Sequence, residues 1–386
     1  MNRIKNQKVT RRKNNFRNSA SKKSRLVPIL LDWFSKNARD MPWRRTRDPY
    51  AIWVSEIMLQ QTQVKTVVPY WERWMRELPG IKPAADASPD KIHKLWEGLG
   101  YYTRARNLQK AAQQIMTGHG GRFPQNFDDV LALPGIGRYT AGAICSIAFN
   151  QPVPILDGNV IRVLTRIFGI GENPREKKTN AKLWRLAEEL VKHSPLSCSH
   201  LNQSLMELGA LVCTPRQPKC PDCPVKNLCV AFGKNHVEQL PNLGKRKAAT
   251  ARRFAAFVVE RNGRFLVRQR PAGVVNAHLW EFPNVEILNG KFNPRFMAKS
   301  ILGVTAPNIK PFCTVKHSIT RYRITLEAFH ANLGGNGSAK PKILRTRGAC
   351  PSDTETWLTP SQIRRLAFSA AHKKLASFAA SRILSG

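Results

Sequence analysis

The sequence is poor in acidic residues and has no long apolar segment. Only 25 aspartates and glutamates stand against 63 lysines and arginines in 386 residues, which gives a formal net charge of +38. No uninterrupted apolar run approaches the roughly 20 residues needed to cross a bilayer. No apolar stretch that resembles a secretory signal follows the basic N-terminus. These two absences argue against a membrane protein and against export.

The positive charge is concentrated at the two ends of the chain. Residues 1–25 hold ten lysines or arginines and no acid, and residues 245–386 hold 25 basic residues against six acidic ones. Such an excess repels itself unless a polyanion offsets it, and nucleic acid is the usual partner. An anionic membrane surface is the alternative, but no basic amphipathic helix with a large apolar face supports it. The charge distribution therefore predicts DNA or RNA binding.

Four of the eight cysteines lie within 17 residues and follow the pattern C-x6-C-x2-C-x5-C. Clustered thiols suit metal ligation in a reducing compartment better than a disulfide framework, so we expect an intracellular protein, in the cytoplasm or nucleoid if its source is a bacterium. Four thiolates can hold either a zinc ion or an iron–sulfur cluster. The single C-x2-C pair, flanked at longer reach, favours the wider cluster, and zinc is the alternative. The candidate ligands are Cys213, Cys220, Cys223 and Cys229.

The chain is predicted to fold mainly as helices, followed by a smaller α+β domain. Residues 1–27 read as a disordered basic arm, 28–235 as a helical domain that includes the loop 213–229, 236–252 as a linker and 253–386 as the second domain. In this last domain we expect strands near 254–260, 265–269, 314–315 and 324–329, with an Asn262-Gly263 hairpin turn. Helices are expected at 293–302 and 361–384.

A glycine-rich turn between two helices is a candidate anion site. In the segment 131–143, a helix is expected to end before Pro134 and the next to begin near Arg138. Gly135 and Gly137 allow backbone conformations closed to other residues and a close approach to a ligand. The free amides at the start of the second helix then favour a phosphate. A plain helix–turn–helix corner is the alternative, but on so basic a chain the turn predicts contact with the DNA backbone.

Two acidic residues are candidates for acid–base chemistry. Asp157 precedes an amphipathic helix, where an aspartate is most often an N-cap. Glu56 shares a helical face with Ile52, Trp53 and Gln60, so burial favours its neutral, proton-donating form. A buried structural glutamate is the alternative. Excision of a purine suits one protonated and one ionised carboxyl group, since the base must be protonated and the sugar passes through a cation.

Several motifs together resemble the adenine DNA glycosylases. They are Pro42-Trp43-Arg44, Asp48-Pro49-Tyr50, the run from Ser55 to Val64, Gly98-Leu99-Gly100-Tyr101-Tyr102, the Pro-Gly-Ile-Gly-Arg turn, Leu156-Asp157-Gly158-Asn159-Val160 with Arg162, and the cysteine cluster. They occur in order across about residues 28–235. The resemblance implies a helix–hairpin–helix glycosylase fold with a 4Fe–4S cluster, acting as a monomer on double-stranded DNA that contains A:8-oxoguanine or A:G mispairs.

The same resemblance implies roles for individual residues. Glu56 would protonate the adenine and Asp157 would stabilise the sugar cation. Tyr139 and Asn159 would support the site, and Arg44 would lie near it and bind DNA. The adenine must leave the duplex to be reached, and Gln61, Leu99 and Tyr101 would enter the base stack to help extrude it. Related bifunctional enzymes carry a Schiff-base lysine where this chain has Tyr139. A phenol cannot form an imine, so a monofunctional enzyme is expected.

The C-terminal part resembles the Nudix-like domain of this family, with Leu279-Trp280-Glu281-Phe282-Pro283 as the best local match. Phe296, Lys299 and Ser300 stand where a Nudix hydrolase needs acids, so pyrophosphatase chemistry is not expected. The family's Phe-Ser-His loop, which contacts 8-oxoguanine, corresponds here to Ile319, Thr320 and Arg321. Arg321 replaces the histidine. A glycosylase for another mismatch and a non-catalytic damage binder are the alternative functions.

Overall fold

A computed structural model describes residues 22–244, 248–288, 292–303, 308–319, 321–333 and 355–382. Within these ranges the chain forms two compact units. One takes the described residues up to Ala85 together with those between Lys110 and Arg246, and the other takes Asp86–Gln109 with the described residues from Lys247 onward. Among the described residues, no helix is both long and apolar enough to cross a bilayer.

The first unit is helical, as predicted. A first helix, α1, covers residues 22–37. The following helices are α2 (Pro49–Leu59), α3 (Val64–Glu77), α4 (Ile81–Asp86), the later part of α6 (Thr103–Gly118), α7 (Phe127–Leu131), α8 (Arg138–Phe149), α9 (Gly158–Phe168), α10 (Lys177–Lys192), α11 (Cys198–Leu211) and α12 (Val230–Gly233).

Helix α9 lies at the centre of this unit because one side of it is wholly apolar. Val160, Val163 and Leu164 are completely buried, and Ile167 is 2% exposed. They pack with apolar residues of α1, α10 and α11 in one core. The helix begins at the cap Asp157 and ends at Gly169, whose φ of +65° suits glycine. The predicted amphipathic helix is thus confirmed, and its N-terminus is fixed by the core beneath it.

The prediction of a disordered arm over residues 1–27 is wrong at its C-terminal end. Residues 22–27 belong to α1, and Leu26 and Val27 are buried in the core. The lysines at the start of this helix are also bound, since Lys22 donates to the carbonyl of Ile167 at 2.7 Å and Lys23 pairs with Glu189. Basic composition alone hid this helix, because its apolar positions begin only at Leu26. Residues 1–21 of the expected arm lie outside the described residues.

The second unit combines a mixed sheet with helices. It contains α5 (Pro89–Trp96), the start of α6, α13 (Pro294–Leu302), α14 (Pro360–Arg365) and α15 (Ala370–Arg382). The strands are β1 (Thr250–Arg261), β2 (Arg264–Gln269), β3 (Trp280–Glu281), β4 (Asn284–Glu286), β5 (Asn308–Ile319), β6 (Tyr322–Asn332) and β7 (Glu355–Leu358). The order is β3-β2-β1-β6-β5, with β4 on β1 and β7 on β2.

Strand β1 carries the core of this unit on both sides. Ala256 and Val258 pack in one apolar cluster with α15, whereas Phe257 and Val259 pack in another with α13. Alternate side chains of a strand point to opposite faces, so a continuous apolar run such as this one needs cover on both sides. β1 pairs in parallel with β6 and antiparallel with β2, through the predicted turn at Asn262-Gly263.

The single helix expected at 361–384 is wrong. The chain forms α14 and α15, with a break from Leu366 to Ser369. Within the break, the carbonyl of Ala367 accepts a 2.9 Å hydrogen bond from the N–H of Trp280, and Phe368 bridges to Trp280. This long-range pairing competes with the helical hydrogen bonds, and helical periodicity cannot reveal it.

Candidate active site

A cavity of about 710 Å³ opens in the first unit, and both predicted acids border it. Glu56 reaches it from α2 and Asp157 from the N-terminus of α9. Tyr139, Asn159 and Arg44 line the same cavity, as does Gln61. The fold thus brings together residues that are up to 115 positions apart in the sequence, Arg44 to Asn159. Glu56 and Asp157 face one shared space, which joint chemistry on a single nucleotide requires.

Glu56 is buried and hydrogen-bonded to a phenol. It is 5% exposed, and its Oε2 accepts a 2.8 Å hydrogen bond from the hydroxyl of Tyr139. Burial raises the pKa of Glu56 to about 7 and outweighs the hydrogen bond from Tyr139. The negative charge of Asp157 raises this pKa further, whereas Arg44 lowers it. A carboxylic acid that keeps its proton near neutral pH can act as a general acid.

Asp157 is also removed from water, but unlike Glu56 it accepts hydrogen bonds from N–H groups on both of its oxygens. Oδ1 accepts from the amide of Val160 at 2.7 Å, and Oδ2 accepts from Nδ2 of Asn159 at 2.9 Å. Burial raises the pKa of Asp157, and these donors, with Arg162, oppose the shift. Donors on both oxygens stabilise an ionised carboxylate. Asp157 is therefore both an N-cap and a cavity residue, so the two interpretations of the sequence hold together.

Asn159 is held in place by an arginine that also reaches the cysteine loop. Nη2 of Arg162 donates to Oδ1 of Asn159 and to the carbonyl of Gly209, both at 2.8 Å, and its Nε donates to the carbonyl of Cys213 at 2.7 Å. Gly209 is required by close packing, since a Cβ there would lie 2.6 Å from Cβ of Asn159. The N-terminus of α9 thus rests directly on α11.

Glu207 is a cavity residue that the sequence analysis missed. It is 1% exposed, and its carboxylate accepts from Arg39 at 2.8 Å and from Nη2 of Arg44 at 3.0 Å. Burial opposes its ionisation, but the two guanidinium groups lower its pKa to about 2. The available signal was an acid inside the apolar stretch Leu205–Leu208 with no basic residue near it in sequence. Arg44 therefore lies at the cavity as half of a buried ion pair.

The glycine-rich turn has the expected helix boundaries, but only one of its glycines has an unusual conformation. Gly135 has a φ of +79°, which favours glycine. Gly137 is the N-cap of α8 with a φ of −100°, and a Cβ there would meet nothing within 4 Å. The expectation that both glycines adopt conformations closed to other residues is therefore wrong for Gly137. No side chain caps α8, which leaves its first amides available to an anion.

The four predicted metal ligands line one cavity in the first unit. Cys213 accepts from Nη1 of the buried Arg166 at 3.4 Å, and the thiol of Cys229 donates to the carbonyl of Arg166 at 3.4 Å. Burial and, to a smaller extent, the neighbouring thiols raise the pKa of the Cys223 thiol to about 11. Within the described ranges, no group of three histidines, cysteines, aspartates or glutamates forms a ready site for a single metal ion. The donor set is four thiols around a shared space.

Of the residues expected to enter the base stack, two are exposed and one is buried. Gln61, in the first unit, is exposed and has a φ of +57°. In the second unit, Tyr101 is 44% exposed with a φ of +48°, but Leu99 is only 6% exposed. The side chains of Gln61 and Tyr101 are therefore accessible to a ligand, whereas that of Leu99 belongs to the core.

Two of the expected lesion-recognition residues, Ile319 and Arg321, lie at the junction of β5 and β6. Ile319 ends β5 and lines a pocket of about 490 Å³ in the second unit. Nη2 of Arg321 donates to the hydroxyl of Tyr322 at 3.1 Å, and its guanidinium lies 5.1 Å from the centre of that ring. Thr320 lies outside the described residues.

Comparison with known proteins agrees with this arrangement. The family model of the HhH-GPD superfamily base excision DNA repair protein matches residues 54–189, and that of the NUDIX domain matches residues 255–377. The adenine DNA glycosylase of Rattus norvegicus is 35% identical over 90% of this chain and 76% of its own. That of Homo sapiens is 35% identical over 90% of this chain and 72% of its own. A solved thermostable thymine-DNA glycosylase is 32% identical with a TM-score of 0.52, over 55% of this chain and 98% of its own.

Proposed function

Because the chain belongs to the adenine DNA glycosylase family, we propose that it hydrolyses the N-glycosidic bond of adenine mispaired with 8-oxoguanine or guanine in double-stranded DNA. The observation that carries the proposal is the single cavity bordered by Glu56 and Asp157 in unlike surroundings. A cavity of about 710 Å³ is in the size range of sites for small molecules, which suits an extruded nucleoside.

In this scheme Glu56 transfers its proton to a ring nitrogen of adenine. The C–N bond then breaks, the electron pair leaves with the base and the sugar becomes an oxocarbenium-like cation. Asp157 stabilises that cation with its negative charge, and water adds to the sugar. The proton that this water loses passes to the solvent, from which Glu56 is protonated again. Tyr139 and Asn159 keep the two carboxyl groups in place through the hydrogen bonds described above.

Strand cleavage through an imine is not part of the scheme. The position after the turn arginine is Tyr139, whose hydroxyl is committed to Glu56. An imine requires an amine, and burial raises the pKa of this phenol well above its ordinary value. We therefore infer a monofunctional glycosylase that leaves an abasic site in an intact strand.

The four cysteines fit a 4Fe–4S cluster, the cofactor that this family generally carries. They surround one space, and the guanidinium of Arg166 donates a hydrogen bond to Sγ of Cys213, which suits a negatively charged group. When bound, the cluster would cross-link the loop 213–229 and so fix the exposed Arg216 and Lys219 for contact with phosphates. It has no part in the hydrolysis.

The direct test is a nicking assay on the full chain with separate detection of the free base. We expect adenine release from A:8-oxoguanine and A:G duplexes, none from A:T, and strand breaks only after alkaline treatment. Breaks without alkali would contradict the monofunctional mechanism. Release of thymine from a T:G duplex, with no release of adenine, would instead indicate the thymine specificity that the name of the solved thymine-DNA glycosylase states. Tight binding with no release would favour a damage binder.

A further inference from the structure

A tight loop in the second unit, the stacking loop (residues 98–103), presents Tyr101 outside the core. The φ of Tyr101 is +48°, and that of the preceding Gly100 is +70°. A bulky residue in this conformation is strained, so neighbouring groups must hold it. Nη2 of Arg104 does so by donating to the carbonyls of Leu99 and Gly100 at 2.9 and 3.1 Å. The loop is thus fixed in one shape by its own unit.

The stacking loop forms one wall of the 490 Å³ pocket that Ile319 also lines. A second wall comes from Ser369–Ala371, at the beginning of α15, which we call the α15 wall. The pocket therefore places Tyr101, one of the residues expected to enter the base stack, beside Ile319, which is expected to contact the base opposite adenine. All of these residues belong to the second unit.

Glu97 connects the two walls of this pocket. It directly precedes the stacking loop, and its Oε1 accepts a 3.0 Å hydrogen bond from the amide of Phe368, which directly precedes the α15 wall. Its Oε2 accepts from the ammonium groups of Lys94 and Lys373, both at 2.9 Å. Lys94 also donates to the carbonyl of Leu366 at 3.0 Å. One carboxylate thus binds both chain segments that lead into the pocket.

The contacts of Glu97 are those of a buried, ionised carboxylate. The residue is 5% exposed. Burial opposes ionisation, but the hydrogen bonds from Lys94, Phe368 and Lys373 hold its pKa below the ordinary value. A buried charge with several donors is costly to disturb, because loss of the charge leaves the donors unpaired.

We propose that Glu97 is a positioning residue that holds the stacking loop against the α15 wall, and so couples entry of Tyr101 into the base stack to reading of the base opposite adenine. The inference rests on the proposed function. It concerns selectivity and leaves the glycosidic chemistry to Glu56 and Asp157.

The test replaces Glu97 with glutamine in the full chain. The glutamine side chain could still accept from the amide of Phe368, but it would place N–H donors against the two ammonium groups, which opens the contact. We expect E97Q to lower the ratio of single-turnover adenine release from A:8-oxoguanine over A:G by about tenfold, within the usual range of coupling between sites. The A:G rate should stay as in the wild type. Hydrogen exchange should rise in residues 98–103 and 369–371.

The matched control is E327Q. Glu327 is also an acid of the second unit, and it pairs with Arg253, but it does not line the pocket. E327Q should leave the ratio and the exchange unchanged. An E97Q ratio equal to the wild type would overturn the proposal, as would an equal loss on both duplexes with a lowered Tm. If the wild type releases adenine from neither duplex, the proposed function fails. Unchanged hydrogen exchange in E97Q would separately show that Glu97 does not hold the stacking loop against the α15 wall.

Discussion

The hydroxyl of Tyr139 donates a 2.8 Å hydrogen bond to Oε2 of Glu56, so the side chain that replaces a lysine nucleophile is bound to the candidate general acid. This hydrogen bond stabilises the ionised form of Glu56, whereas burial stabilises the neutral form more strongly. In the proposed monofunctional mechanism, this one residue thereby offers no amine for an imine and adjusts the acid that performs the hydrolysis.

The first prediction concerns pH. Burial raises the pKa of Glu56 to about 7, and the reaction needs the protonated form, so adenine release should fall as the pH rises through about 7. Tyr139→Phe removes a group that lowers this pKa, and the falling limb should move to higher pH. Single-turnover rates between about pH 5 and 9 measure the shift. Tyr70→Phe, outside the cavity, should keep the wild-type limb, and an unmoved limb in Y139F would contradict the assignment.

Gly209→Ala tests the contact between α9 and α11. The added Cβ would lie 2.6 Å from Cβ of Asn159, so the asparagine and the cap Asp157 must shift. Overpacking of this kind costs about 1–3 kcal/mol, and adenine release should fall by at least about tenfold through lost positioning. Gly118→Ala is the control, since a Cβ there meets nothing within 4 Å. Equal rates for G209A and the wild type would show that the position of Asn159 is unimportant.

Cys220→Ser tests the cofactor. We expect loss of iron and of brown colour together with a lower Tm, because a cluster that cross-links a loop contributes to folding. Cys313→Ser changes a cysteine of the second unit and should keep both properties. Metal analysis of the wild type separates the alternatives: about four iron atoms per chain support the cluster, and one zinc ion would refute it.

Deletion of residues 1–21 tests the basic arm. These residues hold seven lysines or arginines, and their loss should weaken DNA binding more at low salt than at high salt, through reduced counterion release. The deletion must stop before Lys22, because residues 22–37 belong to α1 and Lys22 donates to the carbonyl of Ile167. Affinity measured from low to high salt gives the slope. A variant with the seven basic residues changed to glutamine should behave like the deletion. Equal salt dependence of DNA affinity in the wild type and both variants would contradict an electrostatic role.

The chemistry of the site was predictable from local sequence, whereas the contacts between distant segments were not. Glu56 beside Ile52 and Trp53 indicated a desolvated acid, and the structure gives it the raised pKa. Asp157 indicated a cap, and it caps α9. Glu207 was missed because its partners, Arg39 and Arg44, lie more than 160 residues away.

Besides the arm, whose basic composition hid the start of α1, two wrong predictions come from long-range packing and from the ambiguity of glycine. Trp280 draws Phe368 out of a helix that its own sequence favours. Gly137 is compatible with a special conformation but adopts an ordinary one. The exposure of Tyr101 and the burial of Leu99 also follow from a loop shape set by Arg104, which no pattern of neighbouring residues encodes.

The central claim is that Glu56 and Asp157 act together on one extruded adenine, and single-turnover release from an A:8-oxoguanine duplex tests it most directly. E56Q and D157N should each slow release by about 10²–10⁴-fold with binding retained, and the double variant should be little slower than either one. Glu188→Gln, an exposed acid paired with Arg138, should match the wild type. Release by E56Q at the wild-type rate would contradict the claim.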